Sequence, residues 1–436
     1  MPTDARTAAL AAGLSGEGPV VVARAPGRVN VIGEHTDYNG LPVLPFAIVR
    51  DVLVAARSRA DAVVEVTNVD PRFPPRRFRP KSPIARLPTG DWGNYVQAAS
   101  ETLLGAGTPM PAGATLRVDG NIPPAAGVSS SSALVVASAL ALETLGGSSL
   151  DRLALADLLA RGEQYVGTLS GGMDQAAILL GRPGHALRLD FFPLRAHAVA
   201  IPANAAFIVA HTLEEAAKAG AARGLYNQRV VECRLACAVL ARRLGLPLVR
   251  LGDLPDPATV QAALPELLPD GAVSRAALTT RLGLADAAVE QMAPPSAALP
   301  DADRFVLRAR VRHVLAEAAR VATAERALVA GDLPALGALL DESHASGAAD
   351  YGTSTPGADA LVRLARASGA LGARLMGAGF GGAALLLVER ERTAAVIAAL
   401  DRRFYRSRGA GAAARFVVAP SDGAGVVRVD CQEAVC

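Results

Sequence analysis

Residues 25–40 read APGRVNVIGEHTDYNG. Arg28, Asn30, Glu34, His35 and Asp37 fall within ten residues of one another. The flanks are of another kind. PVVVARAP (19–26) precedes them and LPVLPFAIVRDVLVAA (41–56) follows, both rich in residues that seek burial. Charge placed between buried segments is costly unless it is paired or used. Two explanations stand for this turn: a polar loop closed by its own salt bridges, or a site whose acceptors and donors read several adjacent hydroxyls of a polyol through charge-assisted hydrogen bonds.

Working outward, PVVVARAP and RDVLVAARS read as strands, as do VVEVTNV (63–69) and ATLRVDGNIP (114–123). PRFPPRRFRP (71–80) reads as a loop, its four arginines a solvated surface. A helix is expected over 131–145, and a second from Ser149 to about Gly167 with Asp151 and Asp157 in its early turns. After SGGMDQ (170–175) come AAILLG and the strand-like HALRLDFFPL. A domain boundary is expected near 195–205, giving domains 1–200 and 201–436. The second half is richer in helix, over 226–244, 303–330 and 357–368, with short helices and turns through 250–302. GARLMGAGFGGAALLLVER (372–390) reads as strand, glycine turn, strand, and ERTAAVIAALDRRFYR (391–406) as an amphipathic helix.

Bulk composition narrows the class. The 436 residues are 51% hydrophobic and 19% charged, which suits a globular chain of about two domains. A net charge of +3 gives no reason to expect nucleic acid or a membrane as partner. Only Lys81 and Lys218 are lysines; the basic charge is almost all arginine. Cys233, Cys237, Cys431 and Cys436 show neither zinc spacing nor a disulfide framework, and the first two read as buried small hydrophobes. The N-terminal residues have an early aspartate and no long apolar core, so they do not read as a signal peptide. The longest strongly apolar run, ALVVASALAL (133–142), is far short of the ~18 residues of a membrane span. A soluble cytoplasmic protein is expected.

Three segments could hold phosphate. A P-loop needs lysine after glycine, and Pro80 and Ala217 precede the two lysines, so that loop is excluded. GAGFGG (377–382) fits a dinucleotide fingerprint in spacing, but AALLLVE follows where a helix is required. The third is GNIPPAAGVSSSSALVVASALAL (120–142): a strand end, two prolines, Gly127, then four serines opening a helix. Unpaired N–H groups and a positive partial charge at a helix start favour phosphate, and serine hydroxyls can add a Mg²⁺ ligand. An ordinary serine-capped helix is the alternative. Asp174, in SGGMDQ, is either a turn residue or a general base; phosphoryl transfer to a hydroxyl needs such a base and a cation such as Arg28.

GRVNVIGEHTDY (27–38) resembles the galactokinase signature, and PPAAGVSSSSAL and LMGAGFGGAALLL resemble the second and third motifs of the wider GHMP kinase superfamily. The resemblance implies a two-domain α+β GHMP kinase fold, with a ribosomal-protein-type N-terminal domain, a ferredoxin-like C-terminal domain and the site in the cleft between them. It implies phosphorylation of the C1 hydroxyl of galactose by ATP with Mg²⁺, in a monomer, N-acetylgalactosamine kinase being the nearest alternative and a non-catalytic galactose sensor a more distant one. Arg28 and Asp174 would be catalytic, as transition-state stabiliser and base. Glu34, His35, Asp37, Gly171 and Tyr226 would bind the sugar. Pro124, Ala125, Ala126, Gly127, Val128, Ser129, Ser130, Ser131 and Ser132 would hold the phosphates, with Trp92 near the adenine. Ser131 would ligate Mg²⁺. Aligned without a gap, the second ligand falls on Gly162; a one-residue shift gives Glu163, which alone can coordinate and is chosen. Ala125 and Ser132 depart from many bacterial members, and the loop looks closer to the eukaryotic branch.

Overall fold

A computed structural model describes residues 5–123, 127–214 and 221–429. Two antiparallel-dominated sheets carry the chain. The larger has six strands in the order Gly425–Val429, Val20–Asn30, Pro45–Arg59, Gly113–Gly120, Val64–Asn68 and Arg76–Phe78. Its one parallel pairing joins Val64–Asn68 to Gly113–Gly120. The smaller has the order Gly372–Leu375, Ala383–Glu389, Ala205–His211 and Arg415–Val418.

The helix Ser130–Leu145 is apolar around almost its whole circumference and is buried accordingly, packed on the two longest strands of the large sheet. Valine and alanine fill those strands, and their side chains form one hydrophobic cluster with that helix. The same cluster continues into the second half through Phe207, Val321 and Leu385, and Phe46 meets Phe207 with ring centroids 5.3 Å apart. A separate core is built from helices Ala221–Leu244 and Arg308–Ala330, closed by the short helices of 250–302 through Leu251, Val260, Leu264, Leu278 and Val289.

Several expectations need correction. Within 71–80 the segment Arg76–Phe78 is an edge strand on Val64–Val66 rather than loop. Residues 173–180, read only as an apolar run, form the helix Met173–Leu180, which places Asp174 in its first turn. The long helix begins at Arg308, because Arg304–Val306 pairs as a strand with Ala272–Ser274. The helix from Ser149 begins at Arg152, with Asp151 as its N-cap, and passes at Gly162 into a 3₁₀ turn. Division at residue 200 does not hold for the last strand, Gly425–Val429, which returns to pair with residues 20–24. Strand, glycine turn and strand over 372–390 agree with the expectation, and no dinucleotide helix follows the glycines.

Candidate active site

Arg28, on the strand Val20–Asn30, meets Asp174 in the first turn of the helix Met173–Leu180. Arg28 Nε and Nη2 each lie 2.7 Å from Asp174 Oδ1. Nη1 donates to the Gly127 carbonyl at 2.7 Å, tying the arginine to the glycine–serine loop. A β-bulge at Gly27 shifts the register there, and the Arg28 N–H donates to Val128 O.

The serines do not cap the helix in the ordinary way. Ser129, at its N-cap, has φ 60° and makes no side-chain cap bond. Its hydroxyl donates to Asp174 Oδ2 instead. Ser132 Oγ lies 2.8 Å from Glu163 Oε1 and 3.2 Å from Asp174 Oδ2, bridging two carboxylates. Ser170 holds the other oxygen of Glu163. The hydroxyl beside Glu163 is therefore that of Ser132, whereas the Ser131 side chain stands near Tyr95. Two carboxylates and hydroxyls form a hard-oxygen set of the kind Mg²⁺ takes together with phosphate oxygens. Among the described residues no three His, Cys, Asp or Glu side chains converge as a metal site of their own.

Part of the polar turn is closed by internal pairing. Glu34 is paired within the fold: Oε1 accepts from Gly377 N at 2.8 Å and lies 3.1 Å from Arg374 Nη2. This contact brings the third glycine motif onto the first. Asp37 forms no ion pair among the described residues; Met173 N donates weakly to it at 3.4 Å. Burial, with Asp174 and Glu34 nearby, pushes its carboxyl up to about 6. His35 sits at φ 65°, left-handed for a residue with a side chain. Burial holds its pKa well below the usual histidine value, and His313, Arg229 and Arg374 add to this. Gly171 is required by space: a Cβ there would stand 2.2 Å from Tyr38 N and 2.6 Å from the Asp37 carboxyl carbon. Tyr226 packs its ring 5.5 Å from that of His35.

Arg28, Glu34, His35, Asp37, Glu163, Asp174 and Tyr226 line one cavity together with Gly377 and Gly379. A second cleft shares Thr168 and Arg223 with it and is lined by Asp91, Asn94 and Tyr95. Trp92 is not in that lining. It is buried in the main core, its Nε1 donating to Pro74 O at 2.9 Å. Pro124, Ala125 and Ala126 lie outside the described residues, as do Cys431 and Cys436; Cys233 and Cys237 are free and buried.

Residues 14–58 match the galactokinase galactose-binding signature, 94–182 the GHMP kinases N terminal domain and 324–406 the GHMP kinases C terminal domain. The chain is 36% identical over 412 residues to a galactokinase of Roseiflexus, covering 94% of this chain and 93% of the relative. The chain belongs to the galactokinase family. A galactokinase of Dictyostelium discoideum is 32% identical over 433 residues, covering 90% of this chain and 85% of its own length. Family members of bacterial and eukaryotic origin thus stand at comparable distance. Among solved structures, Lactococcus lactis galactokinase complexed with galactose aligns with TM-score 0.76 at 30% identity, over 93% of this chain and 95% of that one. A Methanococcus jannaschii mevalonate kinase aligns with TM-score 0.53 at 14% identity, over 92% of this chain and 98% of its own, and shares the fold. This chain is accordingly a sugar kinase of the GHMP fold, and no helix among its described residues is long and apolar enough to cross a membrane.

Sequence reasoning missed the residues of this galactokinase-family site that act from behind it. Arg374 is fully buried and donates to the carbonyls of Asn30 and Val31 as well as facing Glu34. A lone arginine in the apolar GARLMGAG was the available signal. Glu317 accepts from Gly33 N at 3.0 Å and Glu34 N at 3.3 Å, fixing the turn's backbone. Nothing in the helix pattern around Glu317 marks it.

Proposed function

We propose that this chain transfers the terminal phosphoryl group of ATP to the C1 hydroxyl of α-D-galactose, giving galactose 1-phosphate and ADP. The observation that carries this is one cavity onto which the Arg28–Asp174 pair opens together with Glu34, His35, Asp37 and Tyr226. The family match and the galactose complex of the Lactococcus lactis relative favour galactose as the sugar.

In this reading the sugar is gripped by Glu34, His35, Asp37, Tyr226 and the backbone at Gly171. Asp174 accepts the C1 hydroxyl proton as the oxygen attacks phosphorus in line, while Arg28 offsets the charge that builds on the transferring group. Residues Gly127 to Ser132 would hold the phosphates, and the adenine would occupy the neighbouring cleft by Asn94 and Tyr95. Glu163 and the serine hydroxyls of the helix's first turn, Ser131 and Ser132, would hold Mg²⁺, Ser132 lying 2.8 Å from Glu163. The metal, when bound, neutralises phosphate charge. Residues 1–200 supply most of the chemistry and 201–436 close the sugar site. Intact serines at 129–132, Arg28 and Asp174 favour turnover over sensing alone.

Asp37 gives the reading a pH signature. Its carboxyl titrates near 6 in the free protein, and the ionised form is the better acceptor for a sugar hydroxyl. kcat/KM for galactose is expected to fall about ten-fold per pH unit below that value, as for loss of one essential ionisation. In Asp37→Asn the overall rate drops and this acid limb disappears. An acid limb that persists in Asp37→Asn removes Asp37 from sugar recognition.

A further inference from the structure

His35 is held by a row of hydroxyl groups that begins in the second half of the chain. Its Nδ1 lies 3.0 Å from the Tyr38 hydroxyl. That hydroxyl lies 2.6 Å from the Tyr351 hydroxyl, and Tyr351 in turn 3.2 Å from Cys233 Sγ. The four groups come from three places: the polar turn, the turn Gly347–Tyr351 and the helix Ala221–Leu244. His35, Tyr351 and Cys233 are all buried.

Tyr351 is not free to shift. Its ring packs against His35 at 4.7 Å and against His313 at 4.5 Å between centroids. Arg229 Nε donates to its carbonyl at 2.7 Å, and Arg310 to the carbonyl of Asp350. Both arginines are anchored on Glu232, at 3.2 Å and 2.6 Å. The oxygen of Tyr351 is therefore a fixed point from which the row is ordered.

The direction of the row follows from counting hydrogens. A neutral imidazole has one donor and one acceptor nitrogen, and each phenol has one proton. Imidazole nitrogen is a stronger base than phenol oxygen, so the Tyr38 proton goes to His35 Nδ1. Tyr38 oxygen then accepts from Tyr351, and Tyr351 oxygen from the Cys233 thiol. Each hydrogen along the row is used once, and the remaining imidazole proton falls on Nε2, a buried nitrogen with no hydrogen-bond partner among the described residues. Burial and the surrounding cations keep His35 neutral, as this order requires.

We propose that Tyr351 is a positioning residue for the sugar: through Tyr38 it holds His35 in a single orientation and a single tautomer, with the ring proton on Nε2. The proposal rests on the galactose reading above for its kinetic consequence, though not for its structural one. Without the Tyr351 hydroxyl, the Tyr38 oxygen loses the donor that holds and polarises it, its hydrogen bond to Nδ1 weakens, His35 samples both tautomers, and the sugar meets the correct one only part of the time.

Tyr351→Phe keeps the ring contacts and removes one oxygen. The KM for galactose is expected to rise about five-fold, as for loss of one neutral hydrogen bond, with kcat and the KM for ATP unchanged. In protein labelled with ¹⁵N-histidine, His35 is expected to show an unprotonated Nδ1 and a protonated Nε2 in the wild type, and a mixture of both tautomers in Tyr351→Phe. Tyr405→Phe, which loses a 2.9 Å bond to the His211 carbonyl, is the control and should change neither readout. Tyr38→Phe breaks the row at the next oxygen and carries the same prediction should Tyr351→Phe fail to fold. A galactose KM or a tautomer pattern that does not move in these variants overturns the proposal. If the wild type shows no galactose-dependent turnover, the substrate reading falls, and the ¹⁵N pattern alone decides the role of Tyr351.

Discussion

Asp174→Asn is expected to lower galactose-dependent ADP release by at least about 10²-fold, the usual loss when a general base is removed, while ATP binding and folding persist. The substitution is close to isosteric. An amide can still accept one hydrogen bond from Arg28 or from the serines, so the surrounding network remains occupied. What it cannot do is take up the proton of a sugar hydroxyl. Its NH₂ group also turns a donor toward either Arg28 or the hydroxyls of Ser129 and Ser132, which now donate to Asp174. The loss should therefore fall mainly on kcat. Steady-state kinetics with a melting curve of the same preparation checks it, and full turnover in the variant would remove Asp174 from the mechanism.

Glu317→Ala is expected to destabilise the fold by about 3–5 kcal/mol, the range for removing one partner from a buried charged network. Glu317 is wholly buried, and its Oε1 takes the N–H groups of Gly33 and Glu34 and the hydroxyl of Ser343. Oε2 accepts from Arg320 Nε at 2.8 Å. Burial alone would raise its pKa, but His313, Arg374, Arg320 and Ser343 prevail and bring it down to about 2. Because the folded value lies below the ordinary 4.5, the stability this group adds is present above about pH 4.5. It is lost as the pH falls toward 2. Thermal melting should show the alanine variant well below wild type at neutral pH, with the gap shrinking as the acid limb is descended. A variant that melts with the wild type would mean that the turn is held without Glu317.

The residues proposed to meet substrate were legible because they are clustered. Arg28 to Asp37, the serine run and SGGMDQ each place polar residues where apolar pattern surrounds them, and such interruptions are visible in one dimension. Helix and strand periods likewise located most elements. The helix Met173–Leu180 was not legible because AAILLG is too short and too uniformly apolar for periodicity to separate helix from strand. The edge strand at Arg76–Phe78 was hidden by its prolines and arginines, as edge strands are. Glu317, His313 and Tyr351 were not legible at all. They lie about 300 residues from the turn they support, and only the packing of the helix Arg308–Ala330 and the turn Gly347–Tyr351 against residues 33–38 brings them there. The return of Gly425–Val429 to the first sheet is of the same kind, since strand pairing between chain ends leaves no local mark.

The most direct test of the central claim is ADP release by the wild-type protein with Mg²⁺-ATP and, in parallel, galactose, N-acetylgalactosamine and glucose. Strong turnover on galactose, little on the acetylated sugar and on glucose, and a product phosphorylated at C1 is the result this account predicts. Preference for N-acetylgalactosamine, or no turnover while galactose still raises the melting temperature, would contradict it.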